Sequence, residues 1–270
     1  MNNKIKKVVI CLLLVIFSLI VIACIYEIKT ANSEYYISEK NLQIPIFTYH
    51  HLVKNESEIE DDCMQTTIDK FKEQILGLMK LGYKPITYQK LKEYSEGKTA
   101  ISGWSFIITF DDGYSDFYDY VYPIAKEYNI PVTVFIIDDC MEGPGYLTWD
   151  QVKEMNENGL ISIYSHGLTH IEYNKETPER LVNDTNLAYD NLEEKLNNKN
   201  SLKVFAYPYG LASDEHIKEM ANAGYIENLM DNRINLSNSL NLNALHRCYP
   251  CNDSVIKIIL KQKYRVIKYK

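Results

Sequence analysis

The fold is decided by a stretch near the middle of the chain, WSFIITFDDG at residues 104–113. Its apolar part, 104–110, has the length and composition of a buried strand, and it ends directly on two acidic residues and a glycine. Adjacent carboxylates repel each other and resist removal from water. If Asp111 and Asp112 are held close together at the end of a strand, they need a cation or a shared proton. A solvated turn is the alternative interpretation.

Strand-like and helix-like segments alternate on both sides of this stretch. At 67–81, for example, apolar residues recur at the spacing of an amphipathic helix. The sequence predicts strands at 46–49, 104–110, 132–137, 160–164, 202–206, 225–229 and 244–249, and helices at 67–81, 116–128, 149–158, 178–196, 214–223 and 253–261. Strands that alternate with helices pair in parallel, with the helices outside. We therefore expect an α/β fold in which about seven or eight strands form a closed or nearly closed (β/α) barrel. A doubly wound open sheet is the alternative.

A second polar motif follows the predicted strand at 160–164 and has the sequence SHGLTH at residues 165–170. Two histidines four residues apart, His166 and His170, can point the same way and bind one ion. One carboxylate and two imidazoles make three protein ligands, and they leave open positions for water and substrate, as a catalytic metal site requires. Two unrelated histidines in an exposed loop are the alternative.

Two further motifs also follow predicted strands. One is AYPYG at 206–210 and the other is YHH at 49–51. Each of them alone is typical of a loop between two elements. All four motifs nonetheless lie at the carboxyl ends of predicted strands, and in a barrel these ends meet at one face, where active sites are found. The sequence therefore predicts that the motifs form a single site.

The N-terminus carries a segment for a membrane or for secretion. An uninterrupted apolar run at residues 8–24 follows Lys4, Lys6 and Lys7. Such a run belongs in a membrane or in a secretory channel, and the lysines are expected to stay on the cytoplasmic side. The segment is either an uncleaved membrane anchor or a lipoprotein signal, in which VIAC at 21–24 is the cleavage box and Cys24 is lipidated.

The chain divides accordingly into a membrane anchor or signal at 1–26, a polar linker at 27–43 and a folded domain at 44–270. The domain is expected outside the cell membrane, attached by a single span or by a lipid. The net charge of -7, with no basic stripe outside the termini, argues against a nucleic-acid partner.

Four cysteines of the predicted domain, Cys63, Cys140, Cys248 and Cys251, would face an oxidising exterior, where disulfides form. Their connectivity cannot be deduced from the sequence. Cys248 and Cys251 form a C-x-x-C pair, but a structural zinc site would need a second pair or paired histidines nearby. The sequence therefore argues against a structural zinc there.

The motifs together resemble those of the polysaccharide deacetylases, carbohydrate esterase family four. TFDDG at 109–113 matches the first motif of that family, and SHGLTH at 165–170 matches the second. YHH at 49–51, LTW at 147–149 and FAYPYG at 205–210 resemble the branch that acts on poly-N-acetylglucosamine. The resemblance extends from about residue 44 to the C-terminus. It implies a distorted (β/α) barrel and one divalent metal ion, usually Zn²⁺.

The resemblance also implies roles for individual residues. Asp112, His166 and His170 would bind the metal ion, and Asp111 would be the general base. The backbone N–H of Tyr209 would help to stabilise the oxyanion. These roles agree with the chemistry of metal-assisted hydrolysis, which needs a base for water and donors for the new negative oxygen.

Two positions depart from the family pattern. Many members carry an arginine that steadies the base at the start of the third motif, where Ala206 stands here, so the resemblance leaves the orientation of Asp111 open. The general acid of many members is a late histidine, for which His246 is the alternative here. In the branch resembled, a histidine near the first strand takes this role, which favours His50, with His51 as a further alternative.

The resemblance implies a metal-dependent hydrolase that removes N-acetyl groups from N-acetylglucosamine in a cell-envelope polysaccharide, either an exopolysaccharide or peptidoglycan. Two alternatives remain. The same chemistry would serve an O-acetyl esterase on a polysaccharide, and the same scaffold would serve a catalytically silent glycan-binding protein.

Overall fold

A computed structural model describes residues 3–61, 63–197 and 202–269 of the 270-residue chain. The side chains of Lys4, Lys6 and Lys7, on which the predicted orientation of the N-terminus depends, lie outside the described part. The helices are α1 (Asn3–Asn32), α2 (Ile68–Lys80), α3 (Tyr88–Ser95), α4 (Tyr122–Tyr128), α5 (Trp149–Asn158), α6 (Pro178–Leu196), α7 (Asp214–Asn222) and α8 (Val255–Lys268).

The strands are short, and most of them belong to one sheet. They are β1 (Glu34–Tyr35), β2 (Gln43–Ile44), β3 (Ile46–Tyr49), β4 (His51–Val53), β5 (Gln65–Thr67), β6 (Lys84–Pro85), β7 (Ile101–Ser102), β8 (Ser105–Phe110), β9 (Val132–Ile136), β10 (Ile161–Ser165), β11 (Val204–Ala206), β12 (Ile226–Met230), β13 (Asn235–Leu236) and β14 (Leu245–Arg247).

Seven parallel strands form a nearly closed barrel. Their order is β14-β12-β11-β10-β9-β8-β3, and β6 pairs with the start of β8. The two ends of this path meet, because the N–H of Thr48 on β3 donates to the carbonyl of Cys248, 3.0 Å away, and the N–H of Cys248 donates to the carbonyl of Ile46, also at 3.0 Å. The predicted barrel is thereby confirmed, and the open sheet is not observed.

The composition of β8 shows why the barrel forms here. All six of its residues are buried, because one face points into the barrel and the other points toward surrounding helices. Helix α6 shows the matching helical signals. The hydroxyl of Thr177 accepts from the N–H of Arg180, Pro178 takes the first helical position, and Asn197 ends the helix in the left-handed conformation.

The predicted linker at 27–43 is instead folded. Helix α1 continues to Asn32, β1 pairs with β7, and β2 pairs with β13. The hydroxyl of Ser102 donates to the carbonyl of Ala31, 2.7 Å away, and the N–H of Gly103 donates to the carbonyl of Ser33. The linker prediction rested on polar side chains, whereas backbone groups make these contacts whatever the side chain is.

Two other differences concern helices. Helix α3 was not predicted, and α8 continues to Lys268, beyond the predicted end at residue 261. Helix α3 has eight residues and Leu91 is its one aliphatic side chain, whereas the apolar residues of α8 continue past residue 261 to Val266 and Ile267. The helical period is therefore weak in the sequence of α3, whereas in α8 it extends beyond the predicted end.

A disulfide joins Cys63 to Cys251, which are separated by 188 residues. It connects the loop after β4 to the loop before α8. Cys140 and Cys248 are free, so the two cysteines of the C-x-x-C pair are not bonded to each other. Closing so long a loop restricts the unfolded chain and is expected to stabilise the fold.

Helix α1 is long and apolar enough to cross a membrane over residues 8–32, and its most apolar window has a mean hydropathy of 3.5 with no residue buried in the molecule. A membrane anchor and a signal sequence share these properties.

Candidate metal centre and active site

Three predicted metal ligands meet at the carboxyl ends of β8 and β10. The Nε2 atoms of His166 and His170 lie 3.3 and 3.5 Å from Oδ1 of Asp112. One ligand atom from each of the three residues lies within 4.8 Å of the others. Asp112 and His166 are buried, and His170 is partly exposed. The structure therefore brings together the three residues that the motifs singled out.

The donor atoms of this cluster fit a divalent cation. Nδ1 of His166 lies 2.7 Å from the carbonyl oxygen of Ala206, which can only accept, so Nδ1 carries a proton. In the neutral imidazole, Nε2 therefore turns a lone pair toward Asp112. Oδ1 of Asp112 is buried and has no hydrogen-bond partner in the described chain. A carboxylate and two imidazole nitrogens facing one point are a zinc-type donor set.

The backbone holds Asp112 in a conformation that L-residues rarely adopt. Its φ is 73°, and Gly113 follows with φ 75°. A Cβ at Gly113 would lie 3.0 Å from Cγ2 of Ile136 on β9, so the close approach of this turn to the neighbouring strand requires glycine. Such left-handed residues persist where the surrounding structure holds them, and they are frequent at functional sites.

The charges of the cluster stabilise each other. Burial alone would raise the pKa of Asp112, but the neighbouring imidazoles of His166, His50 and His170 hold it well below its ordinary value. Burial likewise opposes protonation of His166, but Asp111 and Asp112 together raise its pKa. For His170, burial and the neighbouring His166 lower the pKa. Two carboxylates and several imidazoles thus share a small buried volume.

Asp111 is held by Arg247, a residue that the sequence analysis did not identify. Nη1 and Nη2 of Arg247 donate to Oδ1 and Oδ2 of Asp111 at 2.6 and 2.8 Å. Both side chains are buried. Burial alone would raise the pKa of Asp111, but the guanidinium lowers it below its ordinary value. Arg247 therefore orients the carboxylate of Asp111 and keeps it ionised. It does so although Ala206 stands where many family members carry an arginine.

One sequence signal could have revealed Arg247. Residues 245 and 247 of a strand point to the same side, and Leu245 is apolar, which indicates the barrel side. An arginine on the buried face of a strand needs a carboxylate partner. Asp111 is that partner.

His50 also belongs to the site. Its ring is buried, and its Nε2 lies 4.0 Å from Oδ2 of Asp111. Burial lowers its pKa, although Asp111 and Asp112 act in the opposite direction. Its other nitrogen, Nδ1, has no partner among the described residues. The imidazole therefore faces the site, and no described residue forms a hydrogen bond with its Nδ1 atom.

The other two histidines considered as acids are engaged elsewhere. Nδ1 of His51 lies 2.6 Å from Oδ2 of Asp116, and its ring stacks on Tyr114 at 3.6 Å. Nδ1 of His246 lies 2.8 Å from Oδ2 of Asp231, and His246 lines a separate pocket. Because Arg247 points to Asp111, its neighbour in the strand points to the opposite side. The structure thus places the alternative acid His246 outside the site.

Tyr209 lies beside the metal ligands. Its ring centre is 4.6 Å from that of His170, and its side chain is exposed. The φ of Tyr209 is 60°, a second left-handed residue at this site. A Cβ at Gly210 would lie 2.1 Å from Cβ of Met230 on β12, so this loop can press against β12 only with glycine there. The loop therefore presents Tyr209 at the mouth of the site.

Comparison with known proteins agrees with this geometry. The polysaccharide deacetylase family profile matches residues 102–227, which include both motifs that supply the proposed metal ligands. A Bacillus subtilis relative, YxkH, whose name assigns it provisionally to the polysaccharide deacetylases, is 29% identical over 78% of this chain and 72% of its own length. The Staphylococcus epidermidis poly-β-1,6-N-acetyl-D-glucosamine N-deacetylase is 30% identical over 67% of this chain, which spans 65% of that enzyme.

A solved structure shares the fold. The Streptococcus pyogenes deacetylase PplD, in complex with acetate, superposes with a TM-score of 0.74 at 24% identity, over 83% of this chain and 99% of that one. At this identity the likeness shows the fold alone. The family profile, the matching relatives and the barrel agree, and residues 102–227 of the chain form a polysaccharide deacetylase domain.

Proposed function

We propose that this polysaccharide deacetylase is a metal-dependent N-deacetylase that acts on N-acetylglucosamine residues of a cell-envelope polysaccharide. The observation that carries the proposal is the buried group formed by Asp111, Arg247 and the three residues Asp112, His166 and His170. It combines an ionised base with an adjacent set of ligands for a divalent ion, for which we propose zinc. These are the parts that metal-assisted hydrolysis requires.

A divalent ion held by Asp112, His166 and His170 would polarise the acetyl carbonyl and lower the pKa of water. Asp111 accepts the proton of the water that attacks the acetyl carbon. Its pKa is low because of Arg247, so it is ionised and ready as a base at neutral pH. The guanidinium also fixes the direction of both carboxylate oxygens.

Two further groups complete the proposed reaction. The backbone N–H of Tyr209 donates to the oxygen that becomes negative as the carbonyl is attacked. His50 donates a proton to the amine nitrogen as the C–N bond breaks. Only the protonated imidazole can donate, and burial lowers its pKa, so we expect the rate to fall as pH rises. The products are acetate and a free amine on the glycan.

Two observations support the proposed substrate and location. The Staphylococcus epidermidis relative is named for poly-β-1,6-N-acetyl-D-glucosamine, a polymer of the proposed sugar. Helix α1 exposes apolar side chains along its length, as a membrane-spanning helix does. We propose that α1 is a retained anchor and that the barrel lies outside the cell membrane, where such a polymer would meet it.

Acetate release from β-1,6- and β-1,4-linked N-acetylglucosamine oligomers tests the reaction, with the full chain in detergent before and after chelation. We expect release that needs a divalent ion, is lost in Asp111→Asn and persists in His246→Gln, the matched histidine outside the site. Release from acetylated xylan but from no amide substrate would make the protein an esterase. Binding of the oligomers without release from either substrate would make it a silent glycan-binding protein.

A further inference from the structure

The C-terminal helix α8 has an exposed apolar stripe. Ile256, Leu260, Tyr264 and Ile267 are 71, 61, 60 and 77% exposed. Their spacing of four, four and three residues places them on one face of the helix. The opposite face packs on the domain through the buried Ile258. One face of the helix therefore packs against the core of the domain, and a second apolar face is exposed.

Basic residues border this stripe. The helix sequence, VIKIILKQKYRVIK, contains five basic residues and no acidic one. Lys263 and Lys268 are exposed on the two sides of the stripe. An apolar stripe flanked by lysines is typical of a helix that lies in the surface of a bilayer, with the stripe among the acyl chains and the lysines toward anionic headgroups.

The position of α8 relative to α1 identifies what covers the stripe. A helix rises 1.5 Å per residue, so the segment from Val8 to Glu27 spans about 30 Å, the thickness of the hydrocarbon core. Glu27 is the first charged residue after Lys7. Its Oε1 lies 3.4 Å from Nζ of Lys263. Helix α8 thus lies beside α1 at the level where α1 would leave the bilayer.

A groove between α1 and the domain supports the placement of α8 at the outer edge of the bilayer. On the side of α1 it is lined by Ile20, Ala23 and Cys24, which belong to the apolar run. On the side of the domain it is lined by Leu81, Trp104 and Ile259, the last from α8. Leucine and tryptophan are suited to the edge of a bilayer, where tryptophan is enriched. The domain residues therefore lie at the depth of the outer bilayer edge.

The same contact determines which way the site faces. The end of α1 contacts Ser102 and Gly103, just before β8 begins. Asp111 follows the other end of β8, about 20 Å away along an extended strand. The site therefore lies at the end of the strand that is distant from the anchor.

We propose that α8 is a second membrane contact, which lies on the outer bilayer surface and holds the barrel with its site facing away from the membrane. The proposal rests on the part of the proposed function in which α1 is a retained anchor. It adds that the domain is fixed to the surface at two points and does not swing on a tether.

Fluorescence quenching tests the contact in the full chain reconstituted into vesicles of phosphatidylcholine with and without phosphatidylglycerol. Tyr264→Trp and Ile267→Trp place probes in the stripe, and Leu187→Trp places a matched probe on α6, where Leu187 is 49% exposed. The wild type supplies the background of its two tryptophans. Bromine atoms on the upper acyl chain quench probes that reach the headgroup and acyl boundary.

We expect the stripe probes to be quenched about twofold more than Leu187→Trp, and more strongly with phosphatidylglycerol at low salt. Equal quenching of all three probes, in a chain that floats with the vesicles, would overturn the membrane contact of α8 and leave the retained anchor intact. Self-association of the chain that shields the stripe from the bilayer would also overturn the contact. A chain that does not float would overturn the retained anchor. Acetate release from the same vesicles reports separately on the deacetylase.

Discussion

Two buried carboxyl groups of the barrel, Asp111 and Glu227, have opposite electrostatic states. Asp111 is paired with the guanidinium of Arg247, and its pKa is lowered. Glu227, on β12, receives a hydrogen bond from the hydroxyl of Tyr207 and has no partner for Oε1 among the described residues. Burial raises its pKa to about 8. Both groups are buried, but the carboxyl group paired with a guanidinium is a charged base and the one paired with a hydroxyl is a neutral acid.

The two carboxyl groups also differ in their location relative to the proposed metal ligands. The ionised carboxylate of Asp111 directly precedes the proposed ligand Asp112 in the chain, and its Oδ2 lies 4.0 Å from Nε2 of His50. Glu227 is adjacent in the strand to Asn228, which bonds to Tyr88 and to the backbone of β11. Consecutive strand residues point to opposite sides, so Glu227 lies on the other side of the sheet from Asn228. A perturbed pKa alone would not have identified which of the two groups is functional.

Arg247→Met should have the largest effect, because it leaves Asp111 buried without a counter-charge. We expect a loss of about 3–5 kcal/mol in the free energy of unfolding, as for other broken buried ion pairs. The pKa of Asp111 would rise, so the acid limb of the pH–activity profile should move to higher pH. Chemical denaturation and acetate release against pH measure the two effects.

A second variant keeps this prediction specific. Asp111→Asn combined with Arg247→Met removes both charges, and it should be more stable than Arg247→Met alone. If the double variant is the less stable of the two, the arginine stabilises the barrel through packing and not through the carboxylate.

Glu227→Gln should have the next largest effect, and it depends on pH. Between about pH 4.5 and 8 the folded protein keeps the proton of Glu227 whereas the unfolded chain has lost it, so stability falls as pH rises, by up to about 1.4 kcal/mol per pH unit. Asp111 acts with the opposite sign, because its lowered pKa gives stability that is lost as pH falls.

The difference between wild type and Glu227→Gln isolates this contribution. Unfolding free energies at pH 5 and pH 8 should show the variant gaining on the wild type as pH rises. A constant difference between the two pH values would mean that Glu227 is ionised in the folded protein, and the contrast with Asp111 would fail.

Tyr207→Phe should have a smaller effect of the same kind. It removes the hydroxyl that donates to Glu227, and a buried acceptor without a donor costs about 1–3 kcal/mol. Because the hydrogen bond lowers the pKa of Glu227, its loss should extend the pH-dependent range to higher pH. Denaturation across pH 6 to 9 measures both changes, and an unchanged range would show that the hydroxyl does not interact with the carboxyl.

His246→Gln should have the smallest effect. Its partner Asp231 is partly exposed, and ion pairs of this kind contribute less than about 1 kcal/mol. We expect near-wild-type acetate release with an unchanged pH profile. A loss of the basic limb in this variant, with His50→Gln remaining active, would make His246 the acid and would contradict its placement outside the site.

Much of the fold could be predicted from the sequence, because the signals are local. The buried strand at 104–110 and the capped helix at 178–196 each carry their own period and end signals. The cluster of Asp112, His166 and His170 was also predictable, since all parallel strands of a barrel bring their carboxyl ends to one face.

The rest depends on contacts between distant segments. Arg247 meets Asp111 across 136 residues, and only the register of β14 in the closed barrel brings the two together. The pairing of Cys63 with Cys251 depends on how two loops approach, which spacing does not encode. Residues 27–43 fold by pairing with β7 and β13, which lie far from them in the chain, and their own sequence lacks a clear period.

Titration of the metal-free full chain with Zn²⁺ tests the central claim most directly, with acetate release from N-acetylglucosamine oligomers as the readout. We predict that the chelated protein is inactive, that activity returns in full at one equivalent, and that His166→Ala does not recover while His246→Gln recovers as the wild type does. Full activity in the chelated protein, or equal recovery of His166→Ala, would contradict a metal-dependent site at Asp112, His166 and His170.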